Sequence, residues 1–140
     1  MKETILPISI MKISEGFHLV VNVFIDGSKA RMVLDTGASS TIFDKKRINK
    51  LCKGLVITNQ TEKANTAAGE IEQSSTQIKK MQFNELTIEN YTCVLMDLKE
   101  LNNTYKKHKL QPVDGILGSD ILVKHKAVID LEQNELYLLL

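Results

Sequence analysis

The sequence predicts a mainly β fold, a closed barrel or sandwich of about eight or more short strands with one or two short helices. Three observations point there. Apolar and polar residues alternate over short runs, turn signals separate those runs, and helical spacing of apolar residues occurs only over brief stretches. A length of 140 residues suits one domain, and no linker or duplicated segment divides the chain, so residues 1–140 are expected to fold as a unit, with 1–14 as a peripheral N-terminal segment. The hydrophobic content of 43% is enough for a packed interior; with only 5% aromatic residues and no Trp, that interior must be built from Ile, Leu, Val and Met.

The first strong element is Phe17–Ile25, whose odd positions Phe17, Leu19, Val21, Val23 and Ile25 form one apolar face. Asp26-Gly27 follows as a hairpin-turn signal, and the return strand Lys29–Leu34 runs directly into Asp35. Gly37 then breaks the strand inside a loop of small residues, so Asp35 lies on a tight turn at the end of a buried strand. Thr41–Phe43 reads as a short strand, and Asp44 is placed to cap a helical turn over Lys45–Leu51. Leu55–Thr58 is a further short strand. The polar stretch Gln60–Gln77, with two strand-like arms around Ala67-Ala68-Gly69, reads as a hairpin projecting into solvent.

Met81–Phe83 and Leu86–Met96 are two more strands. Leu98, Leu101 and Tyr105 are spaced for a short amphipathic helix over Leu98–Leu110, ended by Gln111-Pro112. Val113–Gly118 reads as turn, strand, turn, and Ser119 or Asp120 is positioned to cap a helix over Ile121–Lys126. Ala127–Leu131, the polar turn Glu132-Gln133-Asn134 and Glu135–Leu140 form a closing hairpin.

Composition excludes several function classes. Lys and Arg number 18 against 17 acidic residues, so there is no basic field of the kind nucleic-acid binders carry. The short runs Lys45-Lys46-Arg47 and Lys106–Lys109 read as solvated surface. Cys52 and Cys93 are too few for a disulfide framework, and His18, His108 and His125 are scattered without ligand spacing, so no metal and no cofactor are expected. Cys93, beside Val94 and Leu95, reads as a small core residue. The N-terminal run is broken by Pro7 and lacks the apolar region and cleavage site of a signal peptide, and no apolar run approaches the roughly 20 residues that span a bilayer. The Asn-x-Ser/Thr matches at Asn59, Asn90 and Asn102 are therefore read as chance, and the expected setting is a reducing cytoplasm, away from membranes.

Two segments carry chemistry. Asp35-Thr36-Gly37-Ala38-Ser39 and, much later, Asp114-Gly115-Ile116-Leu117-Gly118 together resemble the retropepsin-like (retroviral-type) aspartic proteases. The resemblance extends from about Phe17 to Leu140. It implies a closed acid-protease barrel with a flap hairpin, and it makes Asp35 the catalytic carboxylate, with Ile116-Leu117-Gly118 packing beneath its loop and leading into a helix. It further implies that Thr36 bonds across to a twin loop, that Ser39 backs the aspartate with its hydroxyl, and that Asn65, Thr66, Ala67, Ala68 and Gly69 form the flap tip over an extended peptide. Departures are the Leu98–Leu110 insertion and Ser119-Asp120 after the glycine, which look like bacterial or cellular members of the family rather than viral ones.

The mechanism of that family needs two carboxylates around one water, and this chain carries one Asp-Thr-Gly loop. The expected functional unit is therefore a homodimer in which each subunit gives Asp35, an aspartic endopeptidase acting on peptide or protein substrates. The family also assigns terminal strands to the dimer contact, which places Glu135–Leu140 there. The alternative is a dimerisation or binding module of the same fold with little or no proteolytic activity.

Overall fold

The computed structural model describes residues 2–66 and 69–140, and describes side chains outside 60–73. Eleven strands and three short helices follow in the order β1 (Glu3–Pro7), β2 (Ser9–Ile13), β3 (Gly16–Ile25), β4 (Ser28–Leu34), β5 (Ile42–Asp44), α1 (Ile48–Leu51), β6 (Ile57–Thr66), β7 (Gly69–Phe83), β8 (Leu86–Met96), α2 (Lys99–Lys107), β9 (Gly115–Leu117), α3 (Ser119–Lys124), β10 (Val128–Asp130) and β11 (Glu135–Leu139). The larger sheet has the order β2-β3-β4-β9-β5-β8-β7-β6, and β3 also pairs with β7. That extra pairing closes β3, β4, β9, β5, β8 and β7 into a barrel, as the sequence predicts.

Closure begins at one turn. Asp26 and Gly27 both have positive φ, 46° and 84°, the geometry that a two-residue hairpin with right-handed strand twist demands. The turn is then tied to β7: Asp26 N–H donates to Lys80 O at 2.9 Å, and Lys80 N–H donates to Asp26 Oδ1 at 3.1 Å. Phe24 and Ile25 pair with Gln82 and Met81 beside it.

Inside the barrel pack Val21, Val23 and Ile25 of β3, Ala30, Met32 and Leu34 of β4, and Ile78, Met81 and Phe83 of β7. Period-two alternation on β4 delivers its three apolar residues to this core. A second, smaller core lies outside the barrel wall, where Tyr105 of α2 meets Met11, Val20 and Val113. Asn102 fixes α2 to the strand that follows it, donating to Val113 O at 3.1 Å and accepting from Val113 N–H at 2.8 Å.

The structure amends four details of the sequence reading. Phe17 is 63% exposed, because β3 extends past the barrel at its start and its alternation serves the core only from Leu19 onward. Three helices form rather than one or two, since the turn after Asp44 completes one cycle as α1; Asp44 Oδ2 accepts from Arg47 N–H at 2.9 Å. The third helix starts at Ser119, with Gly118 in the cap position and no side-chain cap from Ser119 or Asp120. The C-terminal strand β11 is the middle strand of a small sheet, β1-β11-β10, and it buries Leu136 and Leu138 within its own chain. Those two leucines need no partner to shield them, while Leu140 beyond the strand remains 49% exposed.

Cys52 and Cys93 are free thiols in the core, 3% and 1% exposed, and burial pushes both up to about 12. Neither thiol should react with a thiol-specific reagent in the folded protein at neutral pH, and both should react after denaturation. Counting released chromophore in native buffer and in guanidinium checks this; fast native labelling of either cysteine would contradict the packing described.

Candidate active site

Asp35 follows directly on β4, and backbone contacts fix the turn that presents it. Asp35 N–H donates to Leu117 O at 3.0 Å, and Ala38 N–H donates to Asp35 O at 3.2 Å. Gly37 N–H donates to Asp35 Oδ1 at 2.9 Å. A Cβ at residue 37 would stand 3.3 Å from that same oxygen, so glycine leaves the carboxylate room beside the amide that holds it. Asp35, Thr36, Gly37 and Ser39 are exposed and Ala38 is half-buried. The Ser39 hydroxyl makes no hydrogen bond to Asp35 among the described residues; the Gly37 amide is the group that backs the carboxylate.

Beneath the loop lies the Ile116-Leu117-Gly118 segment, the end of β9 and the glycine that caps α3. The strand pairs parallel with β4, Met32 opposite Gly115 and Leu34 opposite Leu117, and antiparallel with β5 on its other side. Ser119 N–H donates to Ala38 O at 2.7 Å, and Gly118 N–H donates to Thr41 Oγ1 at 3.0 Å. Thr41 in turn donates to Asp120 Oδ1 at 2.7 Å, and the Tyr91 hydroxyl donates to Asp120 Oδ2. Burial acting alone would raise the pKa of Asp120, but the hydrogen bonds from Tyr91 and Thr41 outweigh it and hold the carboxyl below its ordinary value. The Tyr91 phenol is pushed up, by burial first and by its bond to Asp120 second.

Asp114 does a related job at the start of β9. Its Oδ2 accepts from Arg31 N–H at 2.8 Å and its Oδ1 from Arg47 Nε at 2.7 Å, which links β4, β9 and the turn before α1. The structure therefore brings Asp35, Thr36, Gly37, Ala38, Gly115, Ile116, Leu117 and Gly118 into one neighbourhood. Of the residues expected at the flap tip, Ala67 and Ala68 lie outside the described residues; Asn65 belongs to β6, and Thr66 pairs with Gly69 across the β6–β7 hairpin.

Two hollows flank the loop. One of about 360 Å³ is lined by Phe17, His18, Leu19, Val33, Leu34 and Asp35. The other, of about 250 Å³, lies on the Thr36 side, against Leu122 and Val123 of α3. Asp35 is the one carboxylate lining either of them. Sequence reasoning missed Thr41, Tyr91 and Asp120 as supports of this loop, for they are distant in the chain and share no local motif; it missed His18 because a lone histidine in a strand carries no signal of what it faces.

Asp120→Asn should destabilise the protein by about 1–3 kcal/mol, because an amide cannot accept from both Thr41 and Tyr91. Since the folded-state pKa of Asp120 is lowered, its stabilisation is complete above the ordinary value of 3.8 and disappears as pH falls through the lower folded value. Denaturant unfolding between about pH 7 and pH 2 checks both points: the gap between wild type and variant should be constant at neutral pH and shrink only in acid below that ordinary value.

A family model described as aspartyl protease matches residues 21–121, well over half of the chain. Among solved structures, a retropepsin-like aspartic protease from Rickettsia conorii is 22% identical with a TM-score of 0.59, over 98% of this chain and 89% of that one. EIAV protease in complex with an inhibitor is 22% identical with a TM-score of 0.55, over 86% of this chain and 99% of that one. A retroviral protease-like domain from Leishmania major is 20% identical with a TM-score of 0.54, over 85% of this chain and 86% of that one. No curated protein sequence matches the chain significantly. With the family match spanning both the Asp35 loop and the Gly118 segment, this chain belongs to the aspartyl protease family and has a retropepsin-like fold.

Proposed function

We propose that the chain is an aspartic endopeptidase that works as a homodimer, with Asp35 of each subunit sharing one water. The observation that carries this reading is the state of the carboxylates. Asp44 accepts from Arg47 N–H and Leu98 N–H, Asp114 from Arg31 N–H and Arg47 Nε, and Asp120 from Thr41 and Tyr91. Asp35, exposed and held by one amide of its own loop, is the one carboxylate that lines either hollow beside that loop.

Peptide hydrolysis by this route needs a base to take a proton from water and an acid to give one to the scissile carbonyl oxygen. Two carboxylates about 3 Å apart share a proton, as aspartic proteases in general do, so one is ionised while the other is not. The three other aspartates named above are committed to structural hydrogen bonds and no other carboxylate lines either hollow beside the loop, so in this reading the partner is a second copy of Asp35. A two-fold axis through the water provides that partner with the same loop geometry. In this reading Thr36, exposed beside Asp35, meets the twin loop, and the segment Asn65, Thr66, Ala67, Ala68 and Gly69 closes over an extended peptide. Two free thiols in the core are consistent with work in a reducing compartment such as the cytoplasm.

Asp35→Asn should lower peptide cleavage by about 10³-fold or more while leaving the fold intact, because among the described residues the Asp35 carboxylate hydrogen-bonds only within its own loop. Cleavage of a peptide library near pH 5 by the two proteins provides the comparison. Adding the inactive variant in excess to wild type should suppress activity by forming mixed dimers, and dilution should lower specific activity as dimers separate. Full activity from a species that sediments as a monomer would refute the shared dyad.

A further inference from the structure

The cleft beside Asp35 contains one polar side chain that the hydrolytic reading leaves unused. Its lining is Phe17, His18, Leu19, Val33, Leu34 and Asp35, so apart from the aspartate only His18 breaks an apolar wall. His18 is half-buried on β3, and its Nδ1 lies 2.7 Å from the hydroxyl of Tyr105. Tyr105 belongs to α2, the insertion that the sequence comparison with viral enzymes leaves without a role, and its side chain is fully buried. The two rings meet edge-on, with centroids 5.6 Å apart and planes at 80°, so the imidazole is held in orientation as well as in place.

The hydrogen bond also assigns the ring proton. Among the described residues the Tyr105 hydroxyl has no partner besides His18, and burial raises its pKa, so it remains a phenol. A buried hydroxyl proton needs an acceptor, and His18 Nδ1 is the one within reach. Nδ1 therefore accepts, and in the neutral ring the proton sits on Nε2. Nε2 has no hydrogen-bond partner among the described residues. Protonating the ring would reverse the Nδ1 contact but leave Nε2 a donor. The pairing thus satisfies Tyr105 and leaves His18 with one directed N–H on the edge of the ring away from α2.

We propose that His18 selects substrate: its Nε2–H donates to a carboxylate or carboxamide side chain of the bound peptide, next to the scissile bond, with Tyr105 as the positioning residue. This rests on the reading of Asp35 as the hydrolytic group. The substrate class is then an extended peptide, apolar around the cleaved bond except for one Glu, Gln, Asp or Asn whose side-chain oxygen reaches His18. A cleft of about 360 Å³ has room for a side chain of that size. An apolar contact from Val33, which borders the same small outer core as Tyr105, fits the methylene stem of such a residue, while an aliphatic side chain of equal length would leave the N–H unpaired.

The test uses the full chain and two sets of probes. One is a set of otherwise apolar peptides carrying Glu, Gln, Leu or Met at each position in turn; the other is the same set with the central amide reduced to a methylene-amine, which binds without being cleaved. At one position wild type should favour Glu or Gln over Leu about tenfold, in kcat/KM and in the Kd of the reduced peptides. His18→Leu should erase that ratio. Tyr105→Phe should reduce it to about threefold, and ¹⁵N spectra of the imidazole should change from the Nε2-protonated form in wild type to a mixture of tautomers. Equal binding of Glu, Gln and Leu peptides by wild type, binding of none, or an Nδ1-protonated His18 would overturn the proposal without recourse to any variant. Loss of hydrolysis alone, with the preference kept among the reduced peptides, would count against the hydrolytic reading and for the assignment of His18.

Discussion

Gly118 lies so close to the loop above it that a Cβ there would meet Ser40 C and O at 2.7 Å and Ala38 O at 2.8 Å. All three are backbone atoms, which cannot swing aside as a side chain would. The contact therefore locks β9 and the Asp35 loop together, and the rest of the arrangement follows from it. β9 can run beside β4 closely enough for Leu117 O to accept from Asp35 N–H. α3 begins at once after the glycine, which sets Asp120 where it can hold Thr41, and Thr41 accepts from the Gly118 amide. A loop of small residues with its carboxylate in water would otherwise have little to restrain it. Here its position is over-determined by main-chain contacts on β4, β9 and α3.

The treatment of carboxylates divides along the same line. Three aspartates that are buried or half-buried each accept two hydrogen bonds from named donors, and each ties together segments far apart in the chain. Burying a carboxylate is costly unless such donors are in place. These three residues stabilise the fold only as complete sets, so none of them is free to exchange a proton with a substrate. Asp35 has the opposite environment: one amide from its own turn, solvent on the remaining side, and apolar neighbours.

How much of this was legible in the sequence depended on whether the signal was local. The Asp26-Gly27 turn, the return strand running into Asp35 and the run Ile116-Leu117-Gly118 are each short patterns with a direct physical meaning, and each appears in the structure where the sequence places it. β7 was not recognisable as one long strand. Its buried positions switch from Thr76 and Ile78 to Met81 and Phe83, with Lys79 and Lys80 exposed between them, so the period-two pattern restarts midway. Its buried Ser74 and Thr76 also look like surface residues until their hydroxyls are seen to donate to Asn59 Oδ1 and Val56 O. The supports of the site were hidden for a related reason. Tyr91, Thr41 and Asp120 meet only because β8, β5 and α3 converge, and nothing within a few residues of any one of them indicates the other two.

The small sheet at the chain ends constrains how two copies can share a dyad. β11 pairs with β1 from Glu3 to Pro7 on one side and with β10 on the other, and beyond β10 Leu139 N–H donates to His125 O. Both of its edges are occupied within the chain, so a ladder between copies cannot run through β11; it could run only through β1 or β10, the free edges of that sheet. What the single chain does leave open near Asp35 is side-chain surface: the hollow beside Thr36, bordered by Leu122 and Val123, with Val123 74% exposed. A pairing that brings two Asp35 loops together has this apolar surface to cover, adjoining the loop itself. The contacts that fix Asp35 within one chain thus leave the hollow bordered by Leu122 and Val123 open beside Thr36.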